Sequence, residues 1–170
     1  VAHSFPTRRS SDLSMELVAS EQAVENAAQL MQAFRGRAQP ILHIQHIAVH
    51  DGATFFLPGT EGAKIHRSVQ PISGERIVRK NYPNSFRATT LLEDLQAVGA
   101  SHIVFAGMMT HMCVDTTVRA ACDLGFECSL AHDACATTHL TFGARTVDAN
   151  DVQAAYLAAL GDGFATIKSS

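Results

Sequence analysis

The stretch GMMTHMCVDTTVRAACDLGF, from Gly107 to Phe126, places Cys113 where a strand-like run gives way to a helix-like one. The start of a helix offers unpaired backbone N–H groups and the positive end of the dipole, which together favour a thiolate over a thiol. The same N–H groups can hold the oxyanion that forms when such a sulfur attacks a carbonyl. Cys113 is therefore a candidate nucleophile. The competing reading is that it packs as a small hydrophobe, as free cysteines often do. Cys122 falls late in the same helical run and Cys128 inside a strand-like run, so both read as core. Cys135, in HDACAT, sits past a strand end without a clear helix behind it and is left as structural. None of the four shares a CxxC spacing, and all are read as free thiols.

Histidines are the other candidates. His43, His46 and His50 in HIQHIAVH suggest a metal, but three ligands must converge on one ion. On a strand His43 and His46 point to opposite faces, so they read as core or rim residues and no metal is expected. His111 and His132 fall at strand ends, where they can line a polar pocket. No GxSxG elbow, GxGxxG turn or GxxxxGK[ST] loop is present, which argues against a serine hydrolase, a dinucleotide and a nucleoside triphosphate. No cofactor is implied.

The elements that must position these groups follow from hydrophobic periodicity. Val24, Ala27, Ala28, Met31 and Phe34 repeat at helical spacing, with Ser20 as the expected cap and Gly36 as the expected left-handed stop. PILHIQHIAV (Pro40 to Val49) and RIVRK (Arg76 to Lys80) read as strands, separated by a long Gly- and Pro-containing loop. Phe55 and Phe56 in that loop are candidates for part of a lid. Thr90 and Glu93 have capping-box spacing ahead of a helix closed by Gly99. HIVFAG (His102 to Gly107), a helix from about Met112 to Leu124, and FECSLA (Phe126 to Ala131) come next. Asp148 opens a helix through Leu160, and FATIK (Phe164 to Lys168) closes the chain as a strand. Strands of about five residues alternating with longer helices predict an α/β fold: a three-layer sandwich around a doubly wound, mainly parallel sheet. Ligands bind beyond the carboxyl ends of such strands, which is where Cys113 falls.

The first thirteen residues, VAHSFPTRRSSDL, show neither period. HSFPTRRSSDL resembles the translation of a sequencing adapter, so residues 1–13 are read as a non-native or disordered leader and 14–170 as the domain. The first helix then has no strand before it, although doubly wound sheets commonly have their first strand in the middle. The expectation is a chain shortened at its start, with its first central strand missing.

With 170 residues and 46% hydrophobic composition the chain is long enough for one core. Thirteen basic against sixteen acidic residues, net −3, supply no basic stripe for a phosphate backbone, so nucleic acid is not an expected partner. No run approaches eighteen apolar residues, and no signal-peptide pattern appears, so no membrane association is expected and the cytoplasm is the default location. A small-molecule substrate fits better.

GMMTHMCVDTTVRAACDLGF, VRKNYPNSF (Val78 to Phe86) and AHDACAT, in that order, resemble the isochorismatase-like cysteine hydrolases, the superfamily of nicotinamidases and N-carbamoyl amide hydrolases. The resemblance runs over most of the chain from Met15. It implies an Asp, Lys, Cys triad in which Cys113 is the nucleophile and Lys80 the ammonium, with Arg79 as the fallback. It also implies a cis peptide between Met108 and Met109, with the amides of Met109 and Cys113 facing the oxyanion. Met108, Thr110, His111 and Phe86 are the expected pocket residues. The triad Asp belongs to an Asp-x-Gln segment ending the first strand, and none precedes SMELVASEQ; Asp12 lies in the leader. The chain as written is thus expected to lack its general base and to be inactive, while the parent protein cleaves a C–N bond of a small amide or carbamoyl compound through an acyl-enzyme. The alternatives are an isochorismate-type vinyl-ether hydrolase and a catalytically silent binding or assembly module. The family resemblance also allows a homo-oligomer.

Overall fold

The structure, a computed structural model, describes residues 1–3 and 19–170. In chain order the main elements are β1 (Ala2–His3), α1 (Ser20–Gly36), β2 (Leu42–His46), β3 (Arg76–Lys80), α2 (Leu91–Ala97), β4 (His102–Met108), α3 (Asp115–Asp123), β5 (Glu127–Ala136), β6 (Leu140–Phe142), β7 (Arg145–Val147), α4 (Ala149–Gly161) and β8 (Thr166–Lys168). Six strands form one parallel sheet in the order β3-β2-β1-β4-β5-β8, and β6 and β7 form a separate antiparallel hairpin.

Strand alternation builds two cores, one on each face. Ala23, Val24, Ala27 and Met31 of α1 pack over Ala106, Met108, Ala131 and Ala134. On the other face Leu91 and Leu95 of α2, Val118 and Ala121 of α3 and Leu160 of α4 cover Ile44, Val78, Phe105 and Leu130. The neighbours Phe105 and Ala106 therefore serve opposite layers, as a period of two requires. The three-layer α/β sandwich expected from the sequence is the architecture present.

The expected gap at the centre of the sheet is not there. Ala2 and His3 occupy it, in register with His43 and Ile44 of β2, and Ala2 also pairs with Ala106 of β4. The Val1 ammonium donates to Val104 O at 2.6 Å, and burial lowers its pKa to about 5. The reason is backbone accounting: β2 and β4 each present N–H and C=O groups toward the slot, and a short extended segment of any composition can pair with them. Two residues are too few to show a hydrophobic period. The remainder of the leader, Asp12 included, lies outside the described residues.

Several ends also differ in detail. Ser20 is the first helical residue of α1 rather than its cap; Ala19, at φ 58°, precedes it. Gly36 stays helical, and the left-handed residue is Ala38, at φ 51°. The Thr90–Glu93 capping box does not form. Thr90 Oγ1 donates to Asp94 Oδ2 at 2.8 Å, and Thr89 Oγ1 accepts the Leu91 N–H instead. Asp148 does cap α4, accepting from the Asn150 N–H at 2.8 Å. β5 runs five residues beyond the expected end, because its pairing with β4 resumes after a bulge between Phe105 and Gly107, giving Gly107↔Cys135 and Met108↔Ala136. Gly107 carries φ 140°, which a side chain would disfavour. The hairpin over Leu140–Val147 gave no sequence signal that was read as strands.

Candidate active site

β3 and β4 both deliver their carboxyl ends to the same edge of the sheet. Lys80 is the last residue of β3, and alternation turns it, with Val78, toward the α2/α3 layer. Arg79 points the other way, exposed, its Nε 3.3 Å from Gln45 Oε1, so the fallback is ruled out by strand geometry. Lys80 is 1% exposed. Its Nζ donates to Pro83 O at 2.6 Å, and the Cys113 side chain acts on its charge. Burial pushes the Lys80 pKa down, and the Cys113 sulfur opposes that shift by charge and hydrogen bond. Among the described residues no carboxylate acts on this ammonium.

Cys113 comes from the turn that joins β4 to α3. Met108–Met109 is a cis peptide, as the resemblance implies. Residues Thr110–Val114 then form a π turn, rather than the start of an ordinary helix at Met112, and α3 follows from Asp115. Met112 donates to Met109 O at 3.1 Å and Val114 to the same oxygen at 3.3 Å, the first i→i−5 bond, so the Cys113 amide lies ahead of that bonding. The sulfur is buried, yet it meets an ammonium rather than apolar side chains alone. The other thiols differ. Burial pushes Cys128 up to about 11 and Cys135 up to about 12, where neither supplies thiolate at neutral pH. Cys122 is half-buried, with its thiol 3.9 Å from Gly163 O.

Of the expected pocket residues, Met108 is buried in the α1-side core, and Thr110 is fully buried with its hydroxyl donating to Ala136 O at 3.2 Å. His111 sits at the rim, with Nδ1 2.5 Å from Thr137 Oγ1 and its ring edge-on to Tyr156. Burial lowers its pKa, and Asp115 opposes that. Phe86 is a correction: it stacks on Phe126, which leads into β5 at the amino end of the strands, and so belongs to the core below the site. An aromatic in a loop after a strand end carries no sequence sign of which way it folds.

His46 was read from sequence only as a core or rim residue. Register sets it directly beside Lys80, since β2 and β3 pair His46 with Lys80, and Phe56 stacks on its ring at a 5.1 Å centroid distance. Burial, then the charges of Lys80 and His50, lower its pKa to about 4, so the imidazole is neutral beside the ammonium. His43, on the opposite face as alternation requires, is 2.8 Å from Glu75 Oε2, and Arg35 grips the same carboxylate at 2.7 and 2.9 Å. His50 is exposed, and among the described residues no three His, Cys, Asp or Glu side chains group as metal ligands. A cavity of about 250 Å³ opens beside the site, between the first turns of α1 and α4. Thr137, which holds His111, lines it; Cys113 is not among its described lining residues.

The family model for the isochorismatase domain matches residues 11–165. The chain belongs to the isochorismatase family. The family protein YddQ of Bacillus subtilis is 44% identical over 156 residues, which is 92% of this chain and 87% of that one. Streptothricin hydrolase of Streptomyces noursei is 34% identical over 74% of this chain and 48% of its own length. The ureidoacrylate amidohydrolase RutB of Variovorax paradoxus is 32% identical over 90 residues, 53% of this chain and 34% of that one. Among solved structures, an isochorismatase-type hydrolase from Oleispira antarctica superposes with a TM-score of 0.92 at 42% identity, over 99% of this chain and 92% of that chain. The candidate site of this isochorismatase-family chain thus holds a thiol and a buried ammonium at the carboxyl edge of a parallel sheet, with a neutral imidazole alongside.

Proposed function

We propose that this isochorismatase-family chain is a cysteine hydrolase that cleaves the C–N bond of a small amide or carbamoyl compound. The observation that carries the reading is the placement of two buried groups, the Lys80 ammonium ending β3 and the Cys113 thiol in the turn after β4, at one edge of the sheet where each acts on the other's charge. An ammonium brought to a thiol in a low-dielectric setting favours the thiolate, the form that attacks a carbonyl. Relatives named for hydrolysis of streptothricin and of a ureidoacrylate amide support a hydrolytic reaction.

The reaction follows from these groups. Cys113 Sγ adds to the substrate carbonyl carbon, and the resulting oxyanion faces the amides of Met109 and Cys113. Lys80, whose lowered pKa eases proton release, protonates the leaving nitrogen as the C–N bond breaks, leaving a thioester on Cys113. Water then attacks the thioester and returns a proton to Lys80, and the acid departs with the thiol regenerated. A carboxylate acting as general base would add on the order of 10² to 10⁴ to the rate. Asp12 lies outside the described residues.

The test combines alkylation with trapping. The unsubstituted parent of this sequence and Cys113→Ala are treated with iodoacetamide at neutral pH, then with a panel of small amides and N-carbamoyl compounds, and followed by peptide mass spectrometry and ammonia release. The proposal expects Cys113 to react faster than Cys122, Cys128 and Cys135, and a hydroxylamine-sensitive acyl adduct to form on Cys113 and vanish in the variant. Turnover of a vinyl ether with no Cys113 adduct would assign the other hydrolytic chemistry. A slow Cys113 with no adduct would make the chain a binding module.

A further inference from the structure

The ammonium is held by a carbonyl, and that carbonyl belongs to a loop pinned by the helix that follows the nucleophile. Pro83 O accepts from Lys80 Nζ at 2.6 Å. Two residues on, Ser85 is fully buried, its N–H donating to Thr117 Oγ1 at 3.1 Å and its carbonyl accepting from Thr89 Oγ1 at 2.5 Å. The Thr117 hydroxyl in turn lies 3.1 Å from Ser85 Oγ and 3.5 Å from Pro83 O. Thr117 is 0% exposed and sits in the first turn of α3, which continues directly from the π turn that carries Cys113. The contacts close a ring: Cys113, α3, Thr117, Ser85, Pro83, Lys80 and back to Cys113.

We propose that Thr117 is a positioning residue for the reaction, fixing through Ser85 the Pro83 carbonyl that aims the Lys80 ammonium at the Cys113 sulfur. This rests on the cysteine-hydrolase reading above. A lysine ammonium has three donors on a flexible stem, so its aim depends on fixed acceptors. Pro83 O supplies one such acceptor, in the loop that follows β3. Thr117 holds that loop from the helix that continues the Cys113 turn. A shift of that helix then moves nucleophile and ammonium together, keeping their separation constant. A threonine that merely satisfied a buried N–H could sit on any neighbouring element; this one is on the element the geometry needs.

The test compares Thr117→Val, which keeps shape and removes the hydroxyl, with Thr117→Ser, which keeps the hydroxyl, and with Ser85→Ala. Iodoacetamide rates are read at all four cysteines of each protein, and kcat and KM are read separately on any amide the parent turns over. Loss of one buried hydrogen-bonding group predicts a roughly tenfold slower Cys113 in Thr117→Val, with Cys128 and Cys135 still protected and, where turnover is measured, kcat lowered more than KM is raised. Thr117→Ser should restore the rate to within about threefold, since the hydroxyl is what matters. A Thr117→Val protein with Cys113 as fast as in the parent and the buried thiols protected overturns the proposal. If Thr117→Val exposes Cys128 and Cys135, Ser85→Ala decides: Cys113 slowed with those thiols protected supports the proposal, and an unchanged rate overturns it. A parent whose Cys113 reacts no faster than Cys122 fails earlier, at the hydrolase reading itself.

Discussion

Lys80→Met is the sharpest perturbation of the site, because the structure predicts a large effect on chemistry and a small one on stability. Methionine matches the stem and removes the ammonium. The action of a charged donor on an ionised partner contributes about 1.5 to 3 kcal/mol, so losing that of Lys80 on Cys113 should slow thiolate-dependent reaction of Cys113 by about 10- to 150-fold. Stability moves little, for two opposing reasons. Removing a charge that is 1% exposed relieves a desolvation cost on the order of a few kcal/mol. Against that, Pro83 O loses its 2.6 Å donor, at a cost of about 1 to 3 kcal/mol. The two nearly cancel. Site-resolved iodoacetamide kinetics and urea denaturation on the same preparations read both quantities. A Lys80→Met protein that keeps the parental Cys113 rate to within twofold while remaining folded would refute the claim that this ammonium acts on the sulfur.

Two further predictions follow from the pKa shifts and the core. Glu75, held near 2 chiefly by its hydrogen bond from Arg35, contributes stability that is complete above its ordinary 4.5 and is lost as pH falls toward 2. His46, neutral in the fold down to about 4, gains its proton first in the unfolded chain, at 6.5, so it destabilises the fold as pH falls from 6.5 to 4. The melting temperature should therefore decline in two stages on acidification, and His46→Gln should flatten the upper one; an unchanged slope in that variant contradicts the placement of His46. Phe105, 0% exposed at the middle of β4, should cost about 3 to 5 kcal/mol when replaced by alanine, read from urea midpoints at constant m-value. A loss below 1 kcal/mol would show that the second core is not centred there.

Much of the frame was legible because it is local. RIVRK is β3 residue for residue, and the alternation that sets Val78 and Lys80 on one face and Arg79 on the other can be read without coordinates. The same holds for His43 and His46, for Asp148 as a cap, and for Gly99 as a helix stop, left-handed at φ 65°. The errors lie where backbone groups choose partners from afar. Thr89 competed with Thr90 for the start of α2, and β5 was lengthened by a β4 edge that FECSLA does not reveal.

Sequence by itself therefore determined the layers, the strand faces and the place of Cys113 after a strand end, since each depends on side chains a few residues apart. The motif resemblance paired Cys113 with Lys80, but only the tertiary structure put the ammonium on the sulfur. It also decided that Ala2 and His3 fill the middle of the sheet, that His46 stands beside the ammonium under Phe56, and that Thr117 and Ser85 hold the Pro83 carbonyl. Those contacts join segments far apart in the chain, and hydrogen-bonding groups are satisfied by whatever the fold brings within 3.5 Å, a condition that hydrophobic periodicity does not encode.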